Sequence, residues 1–278
     1  MGSPKNLLVR LRSNMEPFSK KLRVVADYIL ENAHDVQFQT ITDLARNTQT
    51  SEATVVRLCR DMGYKGYSDF RMALAVDLSQ TESRQQNHIE GDICDVSAQS
   101  AVDSLQDTAK LIDRKSLARI VERVHQAEFI GCIGVGASSI VGRYLAYRLI
   151  RIGKKAIMFE DTHLAAMSAS RSSQGDLWFA VSSSGSTKEV IHAAGLAYKR
   201  DIPVVSLTNI NHSPLSSLST EMLVAARPEG PLTGGAFASK VGALLLVDVL
   251  VNSLLESYPE YKDSVQETAE VVIPLMAN

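Results

Sequence analysis

The spacing of apolar residues at the amino end of the chain is helical. Between residues 17 and 33 apolar side chains recur every three or four positions, as on one face of an amphipathic helix. These side chains are Phe18, Leu22, Val25 and Ile29. Three shorter helical patterns follow before Ser79. The pattern therefore predicts an all-α amino-terminal domain over residues 1–79.

The next stretch, residues 80–97, is polar and only weakly periodic. Such a composition is typical of a linker between domains. It contains no proline, so a helical extension from either side stays open. We place the domain boundary in this segment.

From residue 98 onward the spacing of apolar residues changes. Two helical patterns, at residues 98–112 and 115–126, lead into short apolar runs that alternate with amphipathic helices. The runs are Phe129–Val135, Ala156–Phe159, Leu177–Val181, Pro203–Leu207 and Met222–Ala225, and a last long helix begins at about Ala236. Buried strands separated by helices predict a parallel sheet. We expect an α/β domain over residues 98–278, a three-layer α/β/α sandwich around five parallel strands.

Composition adds a contrast between the two predicted domains. The chain has 278 residues, enough for two domains, and a net charge of −2. Residues 1–79 contain 11 Lys and Arg against 9 Asp and Glu, a net charge of +2, so the remainder carries −4. The positive amino end has the sign expected of a nucleic-acid-binding domain.

The positions of the cysteines and of the apolar segments argue against disulfide-rich, zinc-binding, secreted and membrane-spanning proteins. Cys59, Cys94 and Cys132 lie far apart, so neither a disulfide framework nor a zinc site is indicated. The amino terminus lacks an apolar signal core, and the apolar stretch 241–255 is interrupted by Asp248 and Asn252. We expect a cytoplasmic protein that does not span a membrane and carries no cofactor and no metal.

Residues 41–71 have the arrangement of a helix-turn-helix. Leu44 and the small Ala45 suit a short first helix, and Ser51 is a good N-cap for a second helix. The second helix directs one apolar face inward, formed by Val55, Leu58, Cys59 and Met62. Its other face carries small residues and arginines, which allow a helix to approach DNA bases. The candidate DNA-binding residues are Ser51, Ala53, Thr54, Arg57, Arg60 and Lys65.

Two observations weaken this interpretation. The turn of such a motif usually holds a glycine four residues after the alanine, because its φ is positive, whereas this chain has Gln49. We therefore expect a rebuilt or slightly strained turn. Spacing alone also fits a helical bundle in which Arg57 and Arg60 are merely solvated.

The hexapeptide SSSGST, residues 182–187, follows the third predicted strand directly. A strand that ends in hydroxyls and glycine and then enters a helix exposes backbone N–H groups beside the positive end of the helix dipole. Such a place binds anions. GVGASS, residues 134–139, has a similar arrangement after the first strand. In a parallel sheet both loops emerge at the carboxyl edge, where ligands bind.

Other interpretations of these loops stay open. A Gly-x-Gly after a strand also occurs in dinucleotide sites, but Ser139 replaces the third glycine of that fingerprint. Only Glu160 or Asp161 could take the ribose-binding role. Both loops could also be ordinary polar turns.

Both predicted domains resemble known families. Residues 41–71, with Ser-x-x-Thr-Val-x-Arg followed by Gly-Tyr-x-Gly-Tyr-x-x-Phe, resemble the amino-terminal domain of RpiR-family bacterial transcription regulators. The loops at residues 134–139 and 182–189 resemble those of the sugar isomerase (SIS) domain, whose signature is Ser-x-Ser-Gly-x-Thr-x-Glu. The resemblance implies a transcriptional regulator, a repressor, that binds operator double-stranded DNA as a homodimer and responds to a sugar phosphate.

The resemblance also implies the ligand site. The loop from Ser182 to Thr187 would hold the phosphate, Ser138 or Ser139 would reach the sugar, and His163 and Lys240 would orient it. The candidate ligand-binding residues are Ser138, Ser139, His163, Ser182, Ser184, Gly185, Ser186, Thr187 and Lys240. The similarity is greatest to the NanR-type branch, which governs sialic-acid and amino-sugar catabolism. This implies N-acetylmannosamine 6-phosphate as effector.

A phosphosugar isomerase or lyase is the alternative, since SIS domains also occur in enzymes. Aldose–ketose conversion needs a base near C1 and C2 of the sugar. The candidates are Glu189, His163, His192 and Lys240. Each has an ordinary explanation, such as a favourable acid in the first turn of a helix. We therefore expect no catalysis.

Overall fold

A computed structural model of the chain describes residues 7–85, 92–226, 232 and 234–275. By its internal contacts the chain divides into two compact units, with the division between Val96 and Ser97. Each unit has its own hydrophobic core.

The first unit is all-helical, as predicted. Its described helices are α1 (Leu7–Ser13), α2 (Lys20–Glu31), α3 (Ala33–Val36), α4 (Ile41–Asn47), α5 (Glu52–Asp61) and α6 (Tyr67–Gln85). The predicted apolar face of α2 is buried, including Val25 and Ile29 at zero exposure. Phe70 of α6 and Leu44 of α4 belong to the same core. Burial of each such side chain contributes about 1.5–3 kcal/mol to the free energy of folding.

The second unit alternates helices and strands. Its helices are α7 (Ile93–Leu111, whose first four residues group with the first unit), α8 (Arg114–Gln126), α9 (Ala137–Arg151), α10 (Thr162–Ser170), α11 (Lys188–Tyr198), α12 (Phe237–Ser257) and α13 (Glu260–Val272). Its strands are β1 (Phe129–Gly134), β2 (Ala156–Phe159), β3 (Asp176–Val181), β4 (Val204–Thr208) and β5 (Glu221–Val224). A 3₁₀ turn at Ser216–Leu218 replaces the short helix expected between β4 and β5.

Within the described residues the five strands form one parallel sheet in the order β2-β1-β3-β4-β5. Helices α8, α9 and α12 contribute to the core on one face, which also contains Phe179. Helices α10 and α11 contribute to the core on the other face, which contains Trp178. The three-layer α/β/α prediction is confirmed, with strand ends displaced by one residue in several places.

Helix extents differ from the sequence prediction at three places. Both described ends of the predicted linker are helical, because α6 continues to Gln85 and α7 begins at Ile93; residues 86–91 lie outside the described residues. Helix α1 was not predicted, because its seven residues span only about two helical turns, too few for the apolar repeat to be recognised. The carboxyl end forms two helices, because Pro259 follows the extended Tyr258 and cannot continue α12.

Helix α12 is long and apolar enough to cross a membrane by length and composition alone. Half of its most apolar window is buried inside the second unit. Both Leu250 and Leu254 have essentially no exposure, and Lys240 in its first turn is buried as well. This is the pattern of a core helix in a three-layer sandwich.

Candidate DNA-binding and ligand-binding sites

Helices α4 and α5 form the predicted helix-turn-helix. Thr40 and Asp43 make a reciprocal capping box at the start of α4. Ser51 caps α5 by accepting a hydrogen bond from the Thr54 N–H at 3.2 Å. These caps satisfy backbone donors that a helix start leaves without intrahelical acceptors. The positions at which the two helices begin are therefore set by the local sequence.

The turn between these helices contains the expected irregularity. Gln49 has a φ of 51°, in the left-handed region that favours glycine. The N–H of the next residue, Thr50, donates to the Ala45 carbonyl at 2.9 Å and closes the turn. The turn thus keeps the geometry of a glycine-containing motif with a strained glutamine in its place. A further bond joins the two helices, from the Thr42 hydroxyl to Glu52 Oε1 at 2.7 Å.

The outward face of α5 has the predicted composition. The four inward residues Val55, Leu58, Cys59 and Met62 are all buried. Ser51, Ala53, Arg57, Arg60 and Lys65 are exposed, and Thr54 is half-buried. Arg57 approaches its ion-pair partner Asp61 only to 3.9 Å, and its side chain is 73 % exposed. A guanidinium this exposed and this loosely paired can reach the edge of a base or a phosphate.

The Ser182–Thr187 loop lies between the carboxyl end of β3 and α11. Ser182 is buried, and its Oγ lies 3.0 Å from Thr187 Oγ1, so the two ends of the loop are joined. Thr187 is the N-cap residue of α11, but its side chain accepts no hydrogen bond from the first turn of that helix within the described residues. The backbone N–H groups in the first turn of α11 therefore receive no hydrogen bond acceptor from the cap side chain. An anion bound at this helix start could accept from them instead.

The interior of this loop is shaped by Gly185. Its φ is +60°, and its carbonyl accepts a hydrogen bond from the Leu215 N–H at 3.0 Å. The Ser186 N–H donates to Ser184 Oγ at 3.2 Å. A glycine is required here, since the backbone lies against the segment that contains Ser213.

Ser183 is a residue of the loop that the sequence analysis did not select. Lys240, in the first turn of α12, donates from Nζ to Ser183 Oγ at 2.6 Å, and both residues are buried. Lys240 was expected to orient the sugar, and the structure places its ammonium at the loop that was expected to hold the phosphate. Side-chain alternation along β3 could have identified Ser183, because Phe179 and Val181 face the layer that contains α12, and residue 183 follows the same alternation.

The Gly134–Ser139 loop is a neighbour of this site. Strands β1 and β3 are paired in parallel with Gly134 opposite Val181, so both loops leave the sheet side by side. Gly136 has a φ of +59° and precedes α9. Ser138 is buried and Ser139 is half-buried, with Ser139 Oγ donating to the Gly136 carbonyl at 2.7 Å. Both serines lie in the first turn of α9.

His163 belongs to a pocket of about 370 Å³ lined by α10 and α11. The lining residues are Thr162, His163, Ala166, Lys188, Glu189 and His192. At the start of α10, hydrogen bonds from the Leu164 and His163 N–H groups lower the pKa of Asp161. The structure therefore groups His163 with two candidate catalytic residues, Glu189 and His192, while Lys240 contacts the Ser182–Thr187 loop.

Over the described ranges, no cluster of three His, Cys, Asp or Glu has metal-binding geometry.

Comparison with known proteins agrees with both predicted domain families. The family model "Helix-turn-helix domain, rpiR family" matches residues 5–81, and the SIS domain model matches residues 124–253. The HTH-type transcriptional regulator YbbH of Bacillus subtilis is 32 % identical over 250 residues, which cover 88 % of this chain and 87 % of YbbH. The chain belongs to the RpiR family. As an RpiR-family member with an SIS domain, it is a transcriptional regulator.

Two solved structures are similar to this RpiR-family chain. It is 96 % identical to the Vibrio vulnificus NanR protein complexed with ManNAc-6P, with a TM-score of 0.88 over 98 % of this chain and 100 % of that one. The sugar isomerase domain of an RpiR transcription factor from Sphaerobacter thermophilus shares the fold, at 21 % identity and a TM-score of 0.58 over 65 % of this chain and 99 % of that one. The roles of the individual site residues in this RpiR-family chain stay predictions.

Proposed function

We propose that this chain represses amino-sugar catabolic genes and that its DNA binding is controlled by a sugar phosphate, with N-acetylmannosamine 6-phosphate as the effector. The observation that carries the proposal is the approach of the buried Lys240 ammonium to the Ser182–Thr187 loop. The loop supplies hydroxyls and amide N–H groups, and the ammonium supplies a full positive charge. Together they match a phosphate dianion.

The choice of sugar rests on similarity. The 96 % identical NanR protein was solved with ManNAc-6P, and so high an identity over the whole chain supports the same ligand here. Hydroxyls from Ser138 and Ser139, at the neighbouring strand end, support a polyol held beside the phosphate.

DNA binding is assigned to the outward face of α5. Arg57 and Arg60 would contact base edges or phosphates, with Lys65 on the backbone. We infer that the protein works in the cytoplasm as a homodimer, because two recognition helices read half-sites about one helical turn apart.

The effector assignment is tested by calorimetry on the full chain with N-acetylmannosamine 6-phosphate, unphosphorylated N-acetylmannosamine and inorganic phosphate. The phosphorylated sugar should bind, the free sugar should not, and Ser182→Ala with Ser184→Ala should abolish the heat. Ser253→Ala, near the carboxyl end of α12, is the matched control and should bind as the wild type. Undiminished heat in the double variant would remove the loop from the site.

The DNA assignment is tested by fluorescence anisotropy with a duplex that the wild type selects from a random pool. Arg57→Ala should weaken binding by about 1–3 kcal/mol if the side chain reads a base edge. Lys115→Ala removes an exposed positive charge on α8 and should leave affinity unchanged. Equal affinities of Arg57→Ala and the wild type would place Arg57 outside the interface.

Catalysis is the second candidate, because Glu189, His163 and His192 line one pocket. The regulators named above and the presence of the helix-turn-helix support sensing without turnover. NMR of the sugar phosphate incubated with the protein should show no new resonances. A product that disappears with Glu189→Gln would establish an isomerase or lyase.

A further inference from the structure

Buried hydroxyls join helix α7 to the start of α12 and to Ala226, which follows β5. Ser104 and Thr108, one turn apart on α7, have no exposed surface. Ser104 Oγ donates to the Ala238 carbonyl at 2.5 Å, and Thr108 Oγ1 accepts from the Ala226 N–H at 3.0 Å. Polar side chains in a helix–helix contact are uncommon, and here each one bonds to a backbone group. Ser104 therefore sets the position of α7 along α12, and Thr108 sets it against the residues that follow β5.

The two helices also approach closely at Gly242. A Cβ added there would lie 2.6 Å from Thr108 Oγ1 and 3.0 Å from Ser104 Oγ. These distances leave no room for a side chain, so the two hydroxyls lie directly against the backbone of α12. Any movement of the first turns of α12 changes contacts with α7, because packed interiors do not deform continuously.

The same turn of α12 carries the cation of the ligand loop. Lys240 lies two residues after Ala238 and contacts Ser183 Oγ. A continuous set of contacts therefore runs from Ser183 through Lys240 and the Ala238 carbonyl to Ser104 of α7. At its other end, α7 crosses the division between the two units, between Val96 and Ser97.

We propose that Ser104 and Thr108 are positioning residues that couple ligand occupancy at the Ser182–Thr187 loop to α7, and through α7 to DNA binding. The proposal rests on the sugar-phosphate site proposed above. A phosphate ester attracts the Lys240 ammonium more strongly than the neutral Ser183 hydroxyl does. The first turn of α12 shifts with Lys240, and α7 follows, because a broken Ser104–Ala238 bond would leave buried polar groups without partners.

The test measures coupling, which a purely structural role would not change selectively. DNA affinity of the full chain is measured by anisotropy with and without saturating N-acetylmannosamine 6-phosphate, and the ratio of the two affinities is the coupling factor. In Thr108→Val and Ser104→Ala the coupling factor should fall at least fivefold, toward one. Ligand affinity and ligand-free DNA affinity should each stay within about threefold of wild type.

Matched variants separate coupling from stability. Thr108→Ser keeps the hydroxyl and should keep the wild-type factor, while Thr108→Val keeps the shape and loses the bond. Ser116→Ala removes another buried serine hydroxyl, on α8, which donates to Glu221 Oε2 of β5 at 2.7 Å. This variant should lower the melting temperature without changing the factor. If Ser104→Ala does not fold, the Thr108 pair still tests whether coupling depends on the position of α7 against Gly242 and Ala226.

Each outcome has one meaning. A wild-type coupling factor in Thr108→Val overturns this proposal alone. An equal loss in Ser116→Ala also overturns it, since general destabilisation would then explain the effect. A wild type whose DNA binding ignores the sugar phosphate overturns this proposal and the proposed function together.

Discussion

Gly185 lies so close to Ser213 that a Cβ added to the glycine would be 2.1 Å from Ser213 Oγ and 2.5 Å from Ser213 Cβ. The two residues belong to loops after successive strands, β3 and β4. The Leu215 N–H donates to the Gly185 carbonyl across the same gap. The proposed phosphate loop is therefore held against its neighbour by a backbone hydrogen bond, with the Ser213 side chain packed directly on the Gly185 backbone.

Replacing this glycine should displace the loop. Gly185→Ala combines a positive φ with a steric overlap, and we expect a loss of about 1–3 kcal/mol in stability and at least tenfold weaker binding of N-acetylmannosamine 6-phosphate. Gly195→Ala, inside α11 with its nearest neighbour 3.7 Å from the added Cβ, is the matched control and should bind normally. Calorimetry measures both. Unchanged affinity in Gly185→Ala would show that the ligand does not need this loop geometry.

Gln49 offers a stabilising substitution. Gln49→Gly removes the left-handed strain of a non-glycine residue, which costs roughly 1–2 kcal/mol. The greater chain entropy of glycine in the unfolded state offsets part of this, so the free energy of unfolding should rise by about 0.5–1 kcal/mol. Urea unfolding followed by far-UV circular dichroism should show this gain. Fluorescence of Trp178, the one tryptophan of the chain, reports on the second unit and should not change. A stability equal to that of Gln49→Ala would mean that the turn is not strained.

The Glu221–Arg119 pair gives the second unit a pH dependence. Hydrogen bonds from Arg119, then from Ser116, lower the pKa of the mostly buried Glu221 below its ordinary value of 4.5. A carboxyl with a lowered pKa in the folded state adds stability above the unfolded value, and this stability is lost as pH falls through the folded value.

Arg119→Gln should therefore unfold slightly more easily than the wild type at pH 7, since the arginine is half exposed and solvent screens its charge. The difference should shrink as pH falls below about 4.5. Urea titrations read by Trp178 fluorescence at several pH values measure it. Arg143→Gln, from an exposed pair with Glu160, should show a smaller effect. A pH-independent difference would contradict the pKa assignment.

The three cysteines should differ in reactivity. Burial raises the pKa of Cys59 and of Cys132 to about 12, whereas Cys94 is exposed. Because the thiolate is the reactive form, iodoacetamide should label Cys94 in the native protein and the other two only after denaturation. Mass spectrometry of the digested protein identifies the labelled sites. Native labelling of Cys132 would show that the sheet core opens.

Local pattern was sufficient for most of the fold. The inward face of α5, the Ser51 cap and the alternation of strands and helices were readable because each depends on neighbours within a few residues. The positive φ of Gln49 followed from comparing its position with a glycine in similar motifs. The break between α12 and α13 was missed, although Pro259 marks it, because the apolar period continues up to that point.

The sequence by itself determined where strands end in hydroxyls and glycines, and so where an anion could bind, because dipoles and φ angles are properties of a few adjacent residues. Only the tertiary structure decided which distant groups meet there. Lys240 and Ser183 are 57 residues apart, and Ser104 and Ala238 are 134 apart. Such contacts are set by how layers pack, and no periodicity along the chain distinguishes a buried serine that joins two helices from one that faces solvent.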